Sequence, residues 1–265
     1  MRQGRKPEAP TLQTVKMHGQ PKTRSASALD LPPPFSLVTL REIGDAFAHA
    51  QAIAAEAGAG TLVHVGRFDL SEFAVVLEPD EPLASARRAF HVAMVALYDA
   101  LLAYAPPERP IEIGWPDAIY VDGGLIGGGR LAWPAGTADS DVPGWLVFGA
   151  SIRLVSLSRE EAGLRPLATA LEQEGFDDLG SGRLVESFAR HLMLALDSWR
   201  AGELAAVMRQ YLDHLRIDKG AIPALSREGD LLVRWRGKAG PDRHSLAEAL
   251  AVPSWLDPAT GGPRS

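Results

Sequence analysis

Apolar and polar positions alternate along residues 35–40, the period expected of a half-buried strand, and 61–67 and 73–77 read as two further strands. Between the first two lies an alanine-rich stretch, 42–57, that reads as a helix. The longest helical pattern covers 83–104, with apolar residues at 90, 94, 97, 98, 101 and 102, and Pro106-Pro107 ends it. A strand pair follows around the turn Asp122-Gly123. After it come a loop over 134–143, a strand over 145–154, and helices over 184–199 and 203–215.

Beyond residue 217 the segments shorten. Residues 220–225 and 230–235 read as strands about the turn Arg227-Glu228-Gly229, and 245–250 reads as a strand end or a single helical turn. The order predicts an α+β fold, a mixed β-sheet with helices packed mainly on one face, plus a small C-terminal β module. The expected organisation is a disordered arm over 1–33, a main domain over 34–216, and the module with its tail over 217–265. The module is short for a unit that folds alone, so it is expected to pack on the main domain.

Charge sharpens the division. The chain has 27 Lys and Arg against 33 Asp and Glu, a net charge of −6. Six of those basic and two of those acidic residues fall within 1–30, so the arm carries +4 and the remainder −10. The arm is polar, contains Pro7, Pro10 and Pro21, and has no apolar core of a secretory signal. Met17 is an alternative start. The acidic balance gives no support to nucleic-acid binding. Residues 89–105 carry His91 and Asp99 and are too short and too polar for a membrane span, so the expected location is the cytoplasm. Cysteine is absent, which excludes disulfides, zinc–thiolate sites and cysteine acyl-thioester chemistry.

The chemistry concentrates in 112–133, EIGWPDAIYVDGGLIGGGRLAW. A tight hairpin followed by Gly127-Gly128-Gly129 lets backbone approach a ligand where side chains would collide. The spacing resembles the central motif of the biotin and lipoate protein ligases, in which Lys-Trp-Pro-Asn-Asp precedes a strand, a turn, a second lysine, an apolar residue and glycines. Trp115 and Pro116 match that motif. Gly114 replaces the first lysine, Asp117 the asparagine, Ala118 the aspartate, and Leu125 the second lysine. In that family the second lysine sits against the acid and the ATP phosphates during adenylation. Losing one such preorganised charge costs about 100- to 1000-fold in rate.

The resemblance extends over 35–250. Residues 60–67 resemble the strand before the family's Gly- and Arg-rich loop. Here that loop shrinks to 68–72, Asp69 and Glu72 stand where cations belong, and Arg67 is the one remnant. Residues 145–154 resemble the family's pocket-bordering strand, with Gly149 and Ser151 fitting and Arg153 in place of asparagine. The C-terminal module resembles the β module appended to many biotin ligases. The ligand-binding candidates are therefore Arg67, Trp115, Pro116, Asp117, Gly127, Gly128, Gly129, Gly149, Ser151 and Arg153; a catalytic residue is not assigned.

The bland alternatives are a core strand with a glycine bulge at 145–154 and surface charge at Arg153. Alternation sets Arg130 on the face opposite 125, 127 and 129, where it reads as a solvated charge unless a bulge at the glycines re-aims it. The seven histidines show no metal-binding spacing, and His64 reads as a satisfied core or edge residue. Two functions stay open. One is a ligase-like protein binding an acyl cofactor (biotin, lipoyl or octanoyl) or a biotinyl or lipoyl carrier domain, with standard adenylation lost or altered. The other is an active ATP- and Mg-dependent biotin/lipoate–protein ligase in which Arg67, Arg130 or Arg153 replaces the lysine. No metal site, membrane or nucleic-acid partner is expected.

Overall fold

The computed structural model describes Met1 and residues 29–157 and 167–264. Apart from Met1 and 29–33, the expected N-terminal arm lies outside the described residues. Leu29 and Leu31 pack on the core, and Arg190 reaches the Asp30 carboxylate at 2.8 Å.

The elements run β1(Ser36–Leu40), α1(Ala46–Ala57), β2(Thr61–Val65), β3(Leu70–Leu77), α2(Leu83–Ala86), α3(Ala89–Leu102), β4(Ile111–Gly114), β5(Ala118–Val121), β6(Gly124–Ala132), β7(Leu146–Arg153), α4(Ser181–Arg200), α5(Leu204–Asp213), β8(Ala221–Leu225), β9(Leu231–Trp235), β10(Asp242–His244) and α6(Leu246–Ala251). Seven strands form one sheet in the order β1-β2-β3-β7-β6-β5-β4. β1 pairs with β2 in parallel and every other pair is antiparallel, so the sheet is mixed. β8, β9 and β10 form a second, antiparallel sheet. The architecture is α+β, as the pattern predicts.

Paired residues on neighbouring strands point to the same side, so the register sorts the side chains. Val63 pairs with Ala74, Ala74 with Gly149 and Gly149 with Arg130, on the side where α1 packs its Ala46, Ala50 and Ala54. The intervening His64, Phe73 and Ala150 face the other way, toward α3 and α4. There Phe188 lies over Phe148 with ring centroids 5.6 Å apart and over Phe73 at 4.7 Å. Twelve of the 14 residues of α3 are buried, so this helix is enclosed on all sides rather than lying half-exposed.

The small sheet shares that interior. Leu231, Val233 and Leu246 belong to the same buried cluster as α3, and His91 Nε2 lies 2.8 Å from the Gly229 carbonyl. Three local expectations change, and one open alternative is decided for the helix. β3 begins at Leu70 rather than 73, because Ser71 turns inward to Ser181 and Glu72 outward on the α1 side, continuing the ladder to β7. The predicted 83–104 helix is interrupted at Arg87 and Arg88 between α2 and α3. Residues 246–251 form a helix, because the Ser245 hydroxyl caps it by accepting from Glu248 N–H. β4 and β10 are additional strands that the pattern does not announce.

Candidate functional site

The hairpin of β5 and β6 carries a bulge between Ile119 and Tyr120, at which Tyr120 pairs with Leu125 but Ile119 pairs with Gly127. Ile126 is the extra residue, and its insertion reverses the alternation. Leu125, Gly128 and Arg130 therefore share the α1 side of the sheet, whereas Gly127 and Gly129 face α3. This corrects the expectation for Arg130. Its side chain is 16% exposed, its guanidinium lies 4.4 Å from the centroid of the Phe47 ring, and Asp45 stands 3.7 Å away. It is a partly buried cation beside the start of α1, not a solvated one.

The three glycines serve three separate contacts. A Cβ on Gly127 would strike the backbone of Ser151. On Gly129 it would stand 2.7 Å from Met94 Sδ in the α3 interior, and on Gly128 it would stand 2.6 Å from Trp255 Nε1. Gly149 is small for a similar reason, since a Cβ there would lie 2.5 Å from the Phe47 ring. The close approaches are thus made by protein on every side, and only Gly128 faces the hairpin patch that the motif predicts for a ligand.

The remaining candidates divide in the same way. Trp115 packs inward, its ring 5.5 Å from His91 and 6.3 Å from Tyr211. The Pro116 carbonyl accepts a 2.8 Å bond from the Tyr211 hydroxyl. Both hold the β4–β5 turn to the helical side and are removed from the Leu125 patch. Arg67 is closed on Asp69, with its Nε and one terminal nitrogen donating at 2.9 and 2.6 Å, which holds the Asp69 carboxyl below its usual range. Arg153 donates to the carbonyls of Thr169, Pro263 and Arg264.

What does gather on the α1 side is a polar row. Ser151 pairs with Gly128 on one side and Glu72 on the other. Its Oγ is buried without a hydrogen-bond partner, and so is Arg130 Nε. Glu72 Oε1 accepts from Ala46 N–H at 2.9 Å, placing a carboxylate at the N-terminus of α1. Burial raises the Glu72 carboxyl above its ordinary range, and the Ala46 bond and the Arg130 and Arg67 charges offset this in part. Burial likewise lowers the Arg130 guanidinium. His64, on the helical side, bonds the Ser181 hydroxyl at 2.8 Å and is a satisfied core residue.

Sequence reasoning passed over Ser254 and Trp255. Asp117, fully buried, accepts from Ser254 N–H at 2.9 Å and from its hydroxyl at 2.6 Å. Trp255 is 0% exposed, donates Nε1–H to the Gly129 carbonyl at 2.9 Å, and packs with Ala118 and Leu125. The bonding partners lie 137 and 126 residues apart, beyond any local spacing rule.

Burial pushes the Asp117 carboxyl up to about 6, against the Ser254 bonds, and pushes the His91 imidazole down to about 4. These shifts oppose each other. Stability from Asp117 is present at low pH and lost as pH rises toward about 6. Stability from a neutral His91 is present above its ordinary value and lost as pH falls toward about 4. Each shift of about two units corresponds to roughly 3 kcal/mol, so the pair leaves little net slope in that window. Asp117→Asn removes one of them. Relative to wild type, the variant should gain about 3 kcal/mol between about pH 4 and pH 7, measured by urea unfolding; an unchanged difference would refute the assignment.

Among the described residues no helix is long and apolar enough to cross a membrane, and no group of three or more His, Asp or Glu is placed to hold a metal ion. The fold recurs in solved structures. A biotin protein ligase-like protein of unknown function from Silicibacter sp. TM1040 is 27% identical, with a TM-score of 0.71, over 82% of this chain and 96% of that one. The biotin protein ligase of Aquifex aeolicus shares the fold at 15% identity and a TM-score of 0.62, over 79% of this chain and 95% of that one. The same Aquifex enzyme in complex with biotin and ATP aligns at a TM-score of 0.59 and 14% identity, over 78% of this chain and 94% of that one. No curated protein matches the chain. The model of the biotin/lipoate A/B protein ligase family matches residues 31–213, which span β1 to α5 and therefore the whole seven-stranded sheet with the Leu125 hairpin. Fold and family match agree, and the chain belongs to the biotin/lipoate A/B protein ligase family.

Proposed function

We propose that this protein binds an acyl cofactor of the biotin, lipoyl or octanoyl kind, or the carrier domain bearing one, and does so without the standard adenylation. The observation that carries this is Leu125, 8% exposed and packed under Trp255 and against Ala118, at the position that the motif resemblance gives to the family's lysine. An aliphatic side chain in that place favours the apolar part of an acyl ligand and supplies no charge to a phosphate.

The residues present do not fit a magnesium triphosphate. Arg67 is bonded to Asp69, and Arg153 to three backbone carbonyls. The acids Asp45 and Glu72 lie beside Arg130, making that end of the face less attractive to a polyanion. What the row does fit is a single carboxylate or amide. Arg130 and Ser151 offer buried donors with no hydrogen-bond partner, next to an apolar patch.

A second reading, active ligation with an arginine in the lysine's role, is favoured by one observation. The bulge sets Arg130 on the Leu125 side of the sheet with its Nε unpartnered. Calorimetry with biotin, lipoate, octanoate and ATP, each with and without magnesium, together with a pyrophosphate assay, separates the two. The expected result is saturable binding of an acyl acid, or of a biotinyl or lipoyl domain, with no pyrophosphate release. ATP-dependent release with any of these acids overturns it. A release that then drops about 100-fold in Arg130→Gln would establish the second reading.

A further inference from the structure

The chain after α6 passes around the β4–β5 turn from the α3 side of the sheet to the α1 side, and it is fastened where it arrives. Ser254 gives both of its donors to Asp117, and Trp255 follows with its indole fully buried over Gly128 and Leu125. Its Nε1–H meets the Gly129 carbonyl, an inward-facing strand residue whose carbonyl remains available at the hairpin. We infer that residues 252–264 form an intrachain strap that occupies the ligand face reversibly, so that whatever binds over Leu125 and Gly128 must displace it.

The inference rests on the proposed reading of that face as a ligand site, and it adds what regulates access. Trp255 is held as a ligand would be, with an apolar ring in a notch that only glycine leaves open and one N–H on a backbone acceptor. The strap adds no strand to the seven-stranded sheet. Its β-bridge, Leu256 to Pro263, joins the strap to itself. Asp257 N–H to Gly262, Gly261 N–H to Asp257 and Arg264 N–H to Trp255 close it into a turn that can lift as one unit. Its bonds to the body occur at two ends, Asp117 and Gly129 at one and the Arg153 guanidinium at the other, with 258–261 exposed between them. A segment attached at its ends and internally bonded opens without melting the sheet beneath it.

Displacement would uncover Leu125, Gly128 and the Asp117 carboxylate at one stroke and free the Arg153 donors now spent on strap carbonyls. Apolar patch, acceptor and guanidinium would become accessible together, which suits an acid with an apolar body.

Hydrogen exchange by mass spectrometry on the full chain tests the strap by itself. Amides of 253–264 should exchange through local opening at least about 100-fold faster than those of α3, whose residues open only with the global fold. Exchange of both in step would overturn the inference. The double variant Ser254→Ala, Trp255→Ala releases one end, and Arg264→Ala removes the side-chain bond to the Leu256 carbonyl that helps close the strap, while leaving the hairpin intact. Either should tighten binding of whichever of biotin, lipoate or octanoate the wild type binds by at least about tenfold; unchanged or weaker binding in a variant that remains folded by circular dichroism also overturns it. If none of these acids binds any form, the acyl-binding function fails, and the exchange comparison alone decides whether the strap is reversible.

Discussion

Gly127→Ala is expected to lower the thermal midpoint by roughly 10–20 °C, corresponding to about 3–6 kcal/mol in a domain of this size. Gly127 has φ +147°, a backbone conformation that L side chains rarely adopt, and a Cβ there would run into the Ser151 carbonyl of the neighbouring strand. The obstacle is backbone, not the tip of a flexible side chain, so β6 or β7 must shift as a whole. The shift falls beside the bulge that sets Leu125 and Arg130 on one face, so the variant should also lose any ligand affinity. Differential scanning calorimetry beside the Gly123→Ala control, whose Cβ would meet nothing within 4 Å, isolates the collision from the loss of glycine's backbone freedom. Equal losses in the two variants would show that the packing between β6 and β7 is not what requires glycine.

Leu125→Lys introduces the residue that the motif resemblance gives to this position, in a setting that does not suit it. The position is 8% exposed and packed with Trp255 and Ala118, so the ammonium loses most of its water. A loss of roughly 2–4 kcal/mol, or about 5–15 °C, is expected near neutral pH, unless the strap moves aside to let water in. The ionisation of the new lysine would be depressed in the folded state. Stability should therefore recover as pH rises toward its ordinary value, because the unfolded chain then sheds the proton that the folded chain never held. Urea unfolding at about pH 7 and about pH 10 checks this. Pairing the change with Trp255→Ala should relieve part of the loss, since the ammonium then reaches solvent. Additive losses in the double variant would contradict the packing of Trp255 over this position. Adenylation appearing in the double variant and absent in the single one would show that the strap and the aliphatic side chain at 125 both stand between this face and adenylation.

Much of this molecule is legible along the chain because its elements are locally encoded. The apolar spacing through 90, 94, 97, 98 and 101 marks the helix that the fold encloses, and the short run at 61–65, rich in β-branched residues, marks a strand buried on both faces. Asp122-Gly123 announces the hairpin because the turn needs positive φ at both residues, which the structure has at 47° and 81°. The motif resemblance names candidate residues along the chain, but spacing does not say which way they face: Trp115 and Pro116 turn to the helical side, away from the Leu125 patch. Strict alternation fails at one place with a large consequence. A single inserted residue, Ile126, exchanges the two faces of β6 downstream, so Arg130 joins Leu125 and Gly129 leaves it.

The amino-acid sequence by itself determined the order and type of the main elements, the absence of thiol chemistry, and the leucine at the position that the motif resemblance gives to a lysine, because each depends on residue identity or on a short repeat. The tertiary structure alone decided which groups meet. Asp117 finds Ser254, Gly128 finds Trp255, and Glu72 finds the start of α1 across separations of 137, 127 and 26 residues. No local period reaches that far; such contacts come into being only when burial of the sheet's two faces brings distant segments to the same surface.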